Sequence, residues 1–108
     1  MSTILAFAMY RPAPGKKEEL QEILKDHIPT LRELGFITDG TAYSLESKDG
    51  TLIEVFEWVG EEAKTEAHHH PAIRTIWAKM MDICTFPGMN TLPEAEKGFP
   101  GFEVVGRN

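Results

Sequence analysis

Glu54 and Glu57 stand among large apolar residues in the run Leu52-Ile53-Glu54-Val55-Phe56-Glu57-Trp58, and His68, His69 and His70 follow against Pro71. Burying a carboxylate is costly unless it is paired or protonated, and a carboxyl among apolar side chains holds a proton more readily than one in water. Imidazole is the side chain that ordinarily changes charge nearest neutral pH. A carboxyl and an imidazole converging on one pocket would meet the requirement of general acid–base catalysis. Glu54 and His70 are the candidate catalytic pair. Strand alternation sets Glu54 on one side with Leu52, Phe56 and Trp58, and Ile53, Val55, Glu57 and Val59 on the other. The break at Pro71 lets His70 turn back toward the sheet.

Each of these residues also has a structural reading. Consecutive helical residues point about 100° apart, so at most one or two of the three histidines can share a site. His70 can cap the helix end while His68 and His69 face water. Glu54 can pair with Arg11 or Arg74, within a subunit or across a dimer. Glu57, near the strand end, caps or is solvated. His27 falls in the apolar stripe of the first helical stretch, as a pocket liner or a satisfied packing residue. Phe56, Trp58, Tyr43 and Trp77 are the candidate substrate-binding aromatics; the alternative is core or dimer interface, where the polar atoms of Tyr and Trp need partners.

A zinc site needs three or four ligands from separate elements. His27, Glu54 and His70 could supply three, but their spacing does not demand it, and no metal is expected. Cys84 ends an apolar stripe without an activating neighbour in sequence. A Gly-rich phosphate loop, a dinucleotide fingerprint and a nucleophile elbow are all missing, so no cofactor is declared.

The elements that must position these groups follow from hydrophobic period. Residues 4–11 read as a buried strand, bounded by Pro12, Pro14 and Gly15. Leu20, Ile23, Leu24, His27, Ile28, Leu31 and Leu34 then recur at helical spacing, Gly35 suits the C-cap, and Pro29 predicts a kink or a new turn near His27 and Ile28. A loosely alternating strand over 41–47, a hairpin turn at Asp49-Gly50 and a strand over 51–59 come next. Gly60-Glu61-Glu62 opens an acidic helix start, and Pro71 suits the first position of a further helix. That helix carries the stripe Ile73, Ile76, Trp77, Met80, Met81 and Cys84. A loop over 85–92, a short helix over 92–97 and a last strand over 102–105 complete the chain. The order βαββαβ predicts an α+β, ferredoxin-like subunit, an antiparallel sheet with two helices on one face. The Ile53/Val55 side of the third strand suits packing under those helices. Phe56 and Trp58 would then lie bare, which predicts a subunit partner.

The chain of 108 residues forms one domain over 1–108. A formal charge of −6 argues against nucleic acid and against a polybasic membrane surface. The lone cysteine gives no support to an oxidising compartment. The apolar run 4–9 is too short to span a bilayer and has no basic residues before it, so a cytoplasmic protein is expected.

The opening Pro14-Gly15-Lys16-Lys17-Glu18-Glu19-Leu20, the strand Ile53-Glu54-Val55-Phe56-Glu57-Trp58 and the helix ending in His70-Pro71 resemble the dimeric α/β-barrel superfamily, in particular its small bacterial members near the antibiotic-biosynthesis monooxygenases. The resemblance spans residues 3–86 by element order. It implies a homodimer in which two ferredoxin-like sheets close into a barrel, each subunit keeping a pocket for a small-molecule ligand. It also implies a range of activities: cofactor-independent oxygenation of polyketide-like aromatics, haem degradation, isomerisation or dehydration, and binding without catalysis. Fold alone does not choose among them. The leading expectation is proton transfer or cofactor-free oxygenation of an aromatic or polyketide-like compound. The alternative is a non-catalytic ligand-binding or stress-associated homodimer.

Overall fold

The computed structural model describes residues 2–108. Its elements are β1 (Ile4–Pro12), α1 (Lys17–Glu33), β2 (Tyr43–Glu46), β3 (Leu52–Trp58), α2 (Glu61–His69), α3 (Pro71–Met81), β4 (Cys84–Thr85) and β5 (Glu103–Arg107), with 3-10 turns at Met89–Thr91 and Pro93–Glu96. The strands form one antiparallel sheet in the order β4-β1-β3-β2-β5. The described residues form an α+β architecture of five strands and three helices.

Local chemistry accounts for the element ends. The α1 helix runs unbroken through Pro29, which lies on its exposed side, so the expected kink does not divide it. At its end Gly35 takes φ +80, its amide donates to the Arg32 carbonyl, and the Phe36 amide donates to the Leu31 carbonyl. This is a Schellman ending, and its hydrophobic contact is supplied by Leu31 and Phe36, both in the core. In the β2–β3 hairpin only Gly50 has positive φ, and the Gly50 amide donates to the Ser47 carbonyl. Pro71 separates α2 from α3 because it can open a helix but cannot continue one cleanly.

One expectation is corrected: the side of β3 carrying Leu52, Glu54, Phe56 and Trp58 is the one under the helices. Phe56 and Trp58 are buried against Ile28 and Leu31 of α1, Ala63 and Ala67 of α2, and Ile73 of α3. Aromatic side chains remove more apolar area from water than Ile or Val, so they claim the thicker layer. The Ile53/Val55 side is covered instead by the C-terminal segment, through Leu92 and Phe102. Glu94 ties that segment down, accepting from the Ser47 hydroxyl at 2.7 Å and the Lys48 amide at 2.9 Å. The last strand, which the sequence leaves unplaced, pairs with β2 at one sheet edge, and the place beside β1 is held by Cys84–Thr85, which meets Arg11 and Pro12.

Candidate functional site

The site begins with the register of the sheet. Across the helix-covered face one row reads Ala8 on β1, Glu54 on β3, Ser44 on β2 and Gly106 on β5. Glu54 is flanked on both sides by small residues, and space opens on either hand. On the β1 side lies a cavity of about 560 Å³, walled by Ala6, Ala8, Phe56, Trp58, Met80 and Phe86, with Tyr10, His27 and Trp77 among its lining residues. On the β5 side lies a cleft of about 650 Å³ between α1, β2 and β5, which Glu54, Ser44 and Gly106 line.

Glu54 is only 1% exposed and His27 only 2%. Both of Glu54's hydrogen bonds fall on one oxygen: the Tyr10 hydroxyl donates to Oε1 at 2.8 Å, and His27 Nδ1 stands 2.7 Å from the same atom. Trp77 Nε1 donates to His27 Nε2 at 2.9 Å. An indole nitrogen can only donate, so His27 Nε2 must accept, and the ring proton sits on Nδ1, pointing at Glu54. Glu54 Oε1 thereby accepts from two neutral donors in the core. Burial, followed by the charge and the hydrogen bond of Glu54, pushes the Tyr10 hydroxyl well above its ordinary value, so it stays a donor. Glu54 Oε2 has no hydrogen-bond partner among the described residues. Among the described residues no side-chain oxygen or nitrogen shut away from solvent lacks one, so Oε2 keeps contact with open space.

The structure brings Glu54, His27 and Trp77 together, with Phe56 edge-on to His27 at 6.2 Å and to Trp58 at 5.2 Å. It does not bring His70 to Glu54. His70 is the extended residue between α2 and α3, and its Nδ1 accepts from the Ala72 amide at 3.2 Å. A ring at that junction meets an unpaired amide of the new helix first. The histidine ring also packs edge-on against Phe36 at 5.8 Å. His68 lies on Trp77 at 4.5 Å between ring centres, its Nδ1 donating to the Lys64 carbonyl, and His69 is exposed. Tyr43 stands on the opposite sheet face beneath the Arg107 guanidinium. Arg11 pairs with Asp49 rather than Glu54, and Glu57 accepts from the Thr3 and Thr38 hydroxyls. Cys84 is a buried thiol pushed up by burial. Among the described residues no three His, Cys, Asp or Glu side chains are grouped to hold a metal ion.

Tyr10 is the member that sequence reasoning missed. Its position in β1, on the side shared by Ala6 and Ala8, hints at a helix-facing residue. Its bond to Glu54 depends on the pairing of Tyr10 with Leu52, which only the folded sheet provides.

Compared with protein-family models, curated proteins and solved structures, the chain matches none. Fold and site therefore define its class: an α+β protein with a buried Tyr–Glu–His–Trp hydrogen-bonded chain between two cavities.

Proposed function

We propose that this chain is a small-molecule enzyme that moves a proton to or from an aromatic or polyketide-like compound in the cavity beside β1, without a cofactor. The observation that carries the reading is the buried chain Tyr10–Glu54–His27–Trp77, set against a wall of aromatic and methionine side chains. Catalytic sites commonly pair a mostly apolar pocket with a few converging polar groups. The Tyr10 hydroxyl accepts the substrate's proton as its own passes to Glu54 Oε1. The His27 Nδ1–H steadies the carboxylate, and Trp77 keeps His27 in the tautomer that can donate. The substrate anion then takes a proton back at another atom, giving isomerisation, or passes an electron to dioxygen, beginning cofactor-free oxygenation.

The expected ferredoxin-like subunit and dimeric α/β barrel remain part of this reading. They are supported by the antiparallel sheet with its helices on the Phe56/Trp58 side, and by apolar residues on the other side, Leu5 at 59% exposure and Phe7 at 47%. Those residues replace Phe56 and Trp58 as the reason for a partner.

Two observations favour the competing reading of a non-catalytic binder: Trp77 already occupies His27 Nε2, and most of the cavity lining is apolar. Measuring oxygen uptake, substrate proton exchange and thermal stabilisation against a panel of phenols and enolisable aromatics separates the two. Turnover that falls about 100-fold or more in Tyr10→Phe and Glu54→Gln, with ligand stabilisation kept, supports the enzyme. Stabilisation without turnover in the unaltered protein supports the binder.

A further inference from the structure

We propose that the cleft between α1 and β5 is a second binding site, for an alkyl or arylalkyl ammonium ion whose charged head meets Glu54 Oε2. The inference uses the position of Glu54 and stands apart from the proton-transfer reading of the other cavity.

Three observations carry it. The first is space. The cleft encloses about 650 Å³, within the ordinary range for small-molecule sites. Its floor is open because the sheet row beyond Glu54 ends in Ser44 and Gly106. A Cβ at Gly106 would stand 3.5 Å from the Ser44 Cβ, in ordinary contact, so a larger side chain fits there without backbone strain and would take up the floor.

The second is the charge at the floor. Glu54 is 1% exposed, and its partners Tyr10 and His27 are both neutral. His27 cannot be imidazolium while Nε2 accepts from Trp77. Glu54 thus has hydrogen bonds but no cation beside it, and among the described residues its second oxygen has no partner. A cation reaching Oε2 would supply the counter-charge that the ionised carboxylate requires.

The third is the rim. Of the basic residues near the cleft, Lys25 is tied to Glu22 at 2.6 Å, Lys17 to Glu46 at 2.7 Å, and Lys16 lies 4.0 Å from Glu19. Arg107 also lines the cleft, and its guanidinium lies over the Tyr43 ring. Glu18 lines the cleft and makes no ion pair among the described residues, and with Glu19, Glu22 and Glu54 it leaves the acidic lining residues in excess over Lys25 and Arg107. An ammonium head has three donors, which suit Oε2 and the Ser44 hydroxyl, and Leu24 and Leu52 provide apolar wall for its chain. A bare metal ion finds no comparable oxygen shell here.

The test is a titration of the full ¹⁵N-labelled chain, followed by amide shifts, with n-butylammonium and phenethylammonium chloride. The matched controls are n-butanol, butyrate and potassium chloride. The expected result is saturable shifts at Ser44, Glu54 and Gly106, with the ammonium at least about tenfold tighter than the alcohol of the same chain. Glu54→Gln keeps an acceptor for Tyr10 and His27 but removes the charge, and it should lose at least that tenfold. Gly106→Leu leaves Glu54 untouched, fills the floor and should weaken binding as well, so the proposal stays testable if the Gln variant fails to fold. Equal affinity for ammonium and alcohol would overturn it, as would an equal response to potassium chloride or shifts confined to the Phe56/Trp77 cavity. These amide shifts are read without turnover, so failure here leaves the proton-transfer reading to its own assay.

Discussion

The indole nitrogen of Trp77 stands 2.9 Å from Nε2 of His27 and decides which ring nitrogen carries the proton. The two residues come from different helices, α3 and α1, and meet over β3. Because the indole can only donate, the imidazole proton is directed to Nδ1 and onto Glu54. Trp77 thus governs the hydrogen bonding of a carboxylate it does not touch.

Replacing Trp77 by Phe keeps most of the apolar wall and removes that donor. The cost should be about 1 kcal/mol. The ¹⁵N shifts of the His27 ring, which should report a single Nδ1–H tautomer in the unaltered protein, should move toward a mixture. Unchanged ring shifts would show that Glu54 alone sets the tautomer.

His27→Leu should cost more, about 3 kcal/mol, because it strips a donor from a carboxylate that is 1% exposed. The measurement is the urea midpoint. Pairing His27→Leu with Glu54→Leu should recover much of the loss, since an apolar pair leaves no buried charge behind. A double variant as unstable as the single one would mean that packing, and not charge, dominates at this position.

His70→Ala should lower stability by about 1 kcal/mol through loss of the cap on α3, and leave ligand binding at both cavities unchanged. Thermal melts with and without ligand distinguish the two effects. A His70 variant of native stability that loses ligand binding would restore His70 to the site.

Burial acts to raise the Glu94 carboxyl, but the hydrogen bonds from the Ser47 hydroxyl and the Lys48 amide outweigh it and hold the group below its ordinary value of 4.5. The folded value is depressed, so the stabilisation is complete above the ordinary value and is lost as pH falls through the lower folded one. Acid titration should therefore loosen the C-terminal segment, read as fluorescence or amide shifts near Phe102 and Leu92. Glu94→Gln should be less stable than the parent at neutral pH and should lack this acid step.

Phe7→Glu should abolish self-association without disturbing the fold, because Phe7 is 47% exposed on the face away from the helices. Sedimentation of the unaltered chain should give a particle near twice 12.1 kDa, and the variant a monomer. A parent that sediments as a monomer at high concentration would end the dimer proposal.

Much of the fold was legible because its signals are local. The change of period after Pro14, the Gly35 helix end, the positive φ at Gly50 and the restart at Pro71 each depend on a few neighbouring residues, and all four are present in the structure. The last strand could be recognised by its composition but not placed. Either sheet edge offered backbone partners, and only the fold of the C-terminal segment over Ile53 and Met9 put it beside β2.

The candidate site divides in the same way. From sequence alone Glu54 could be singled out as a carboxylate on the Phe56/Trp58 side of its strand, because alternation in a strand is a property of the strand itself. Its partners could not, since a hydrogen bond between β3, β1 and α1 depends on register and on which sheet face the helices cover. The expectation that Ile53 and Val55 lie under the helices compared two sides of one strand in isolation. The folded chain compares the total area each side can remove from water against every other element, and the aromatic side gains more. That choice carried Glu54 inward to His27 and Tyr10, and left His70, at a helix start with an unpaired amide within reach, as a cap.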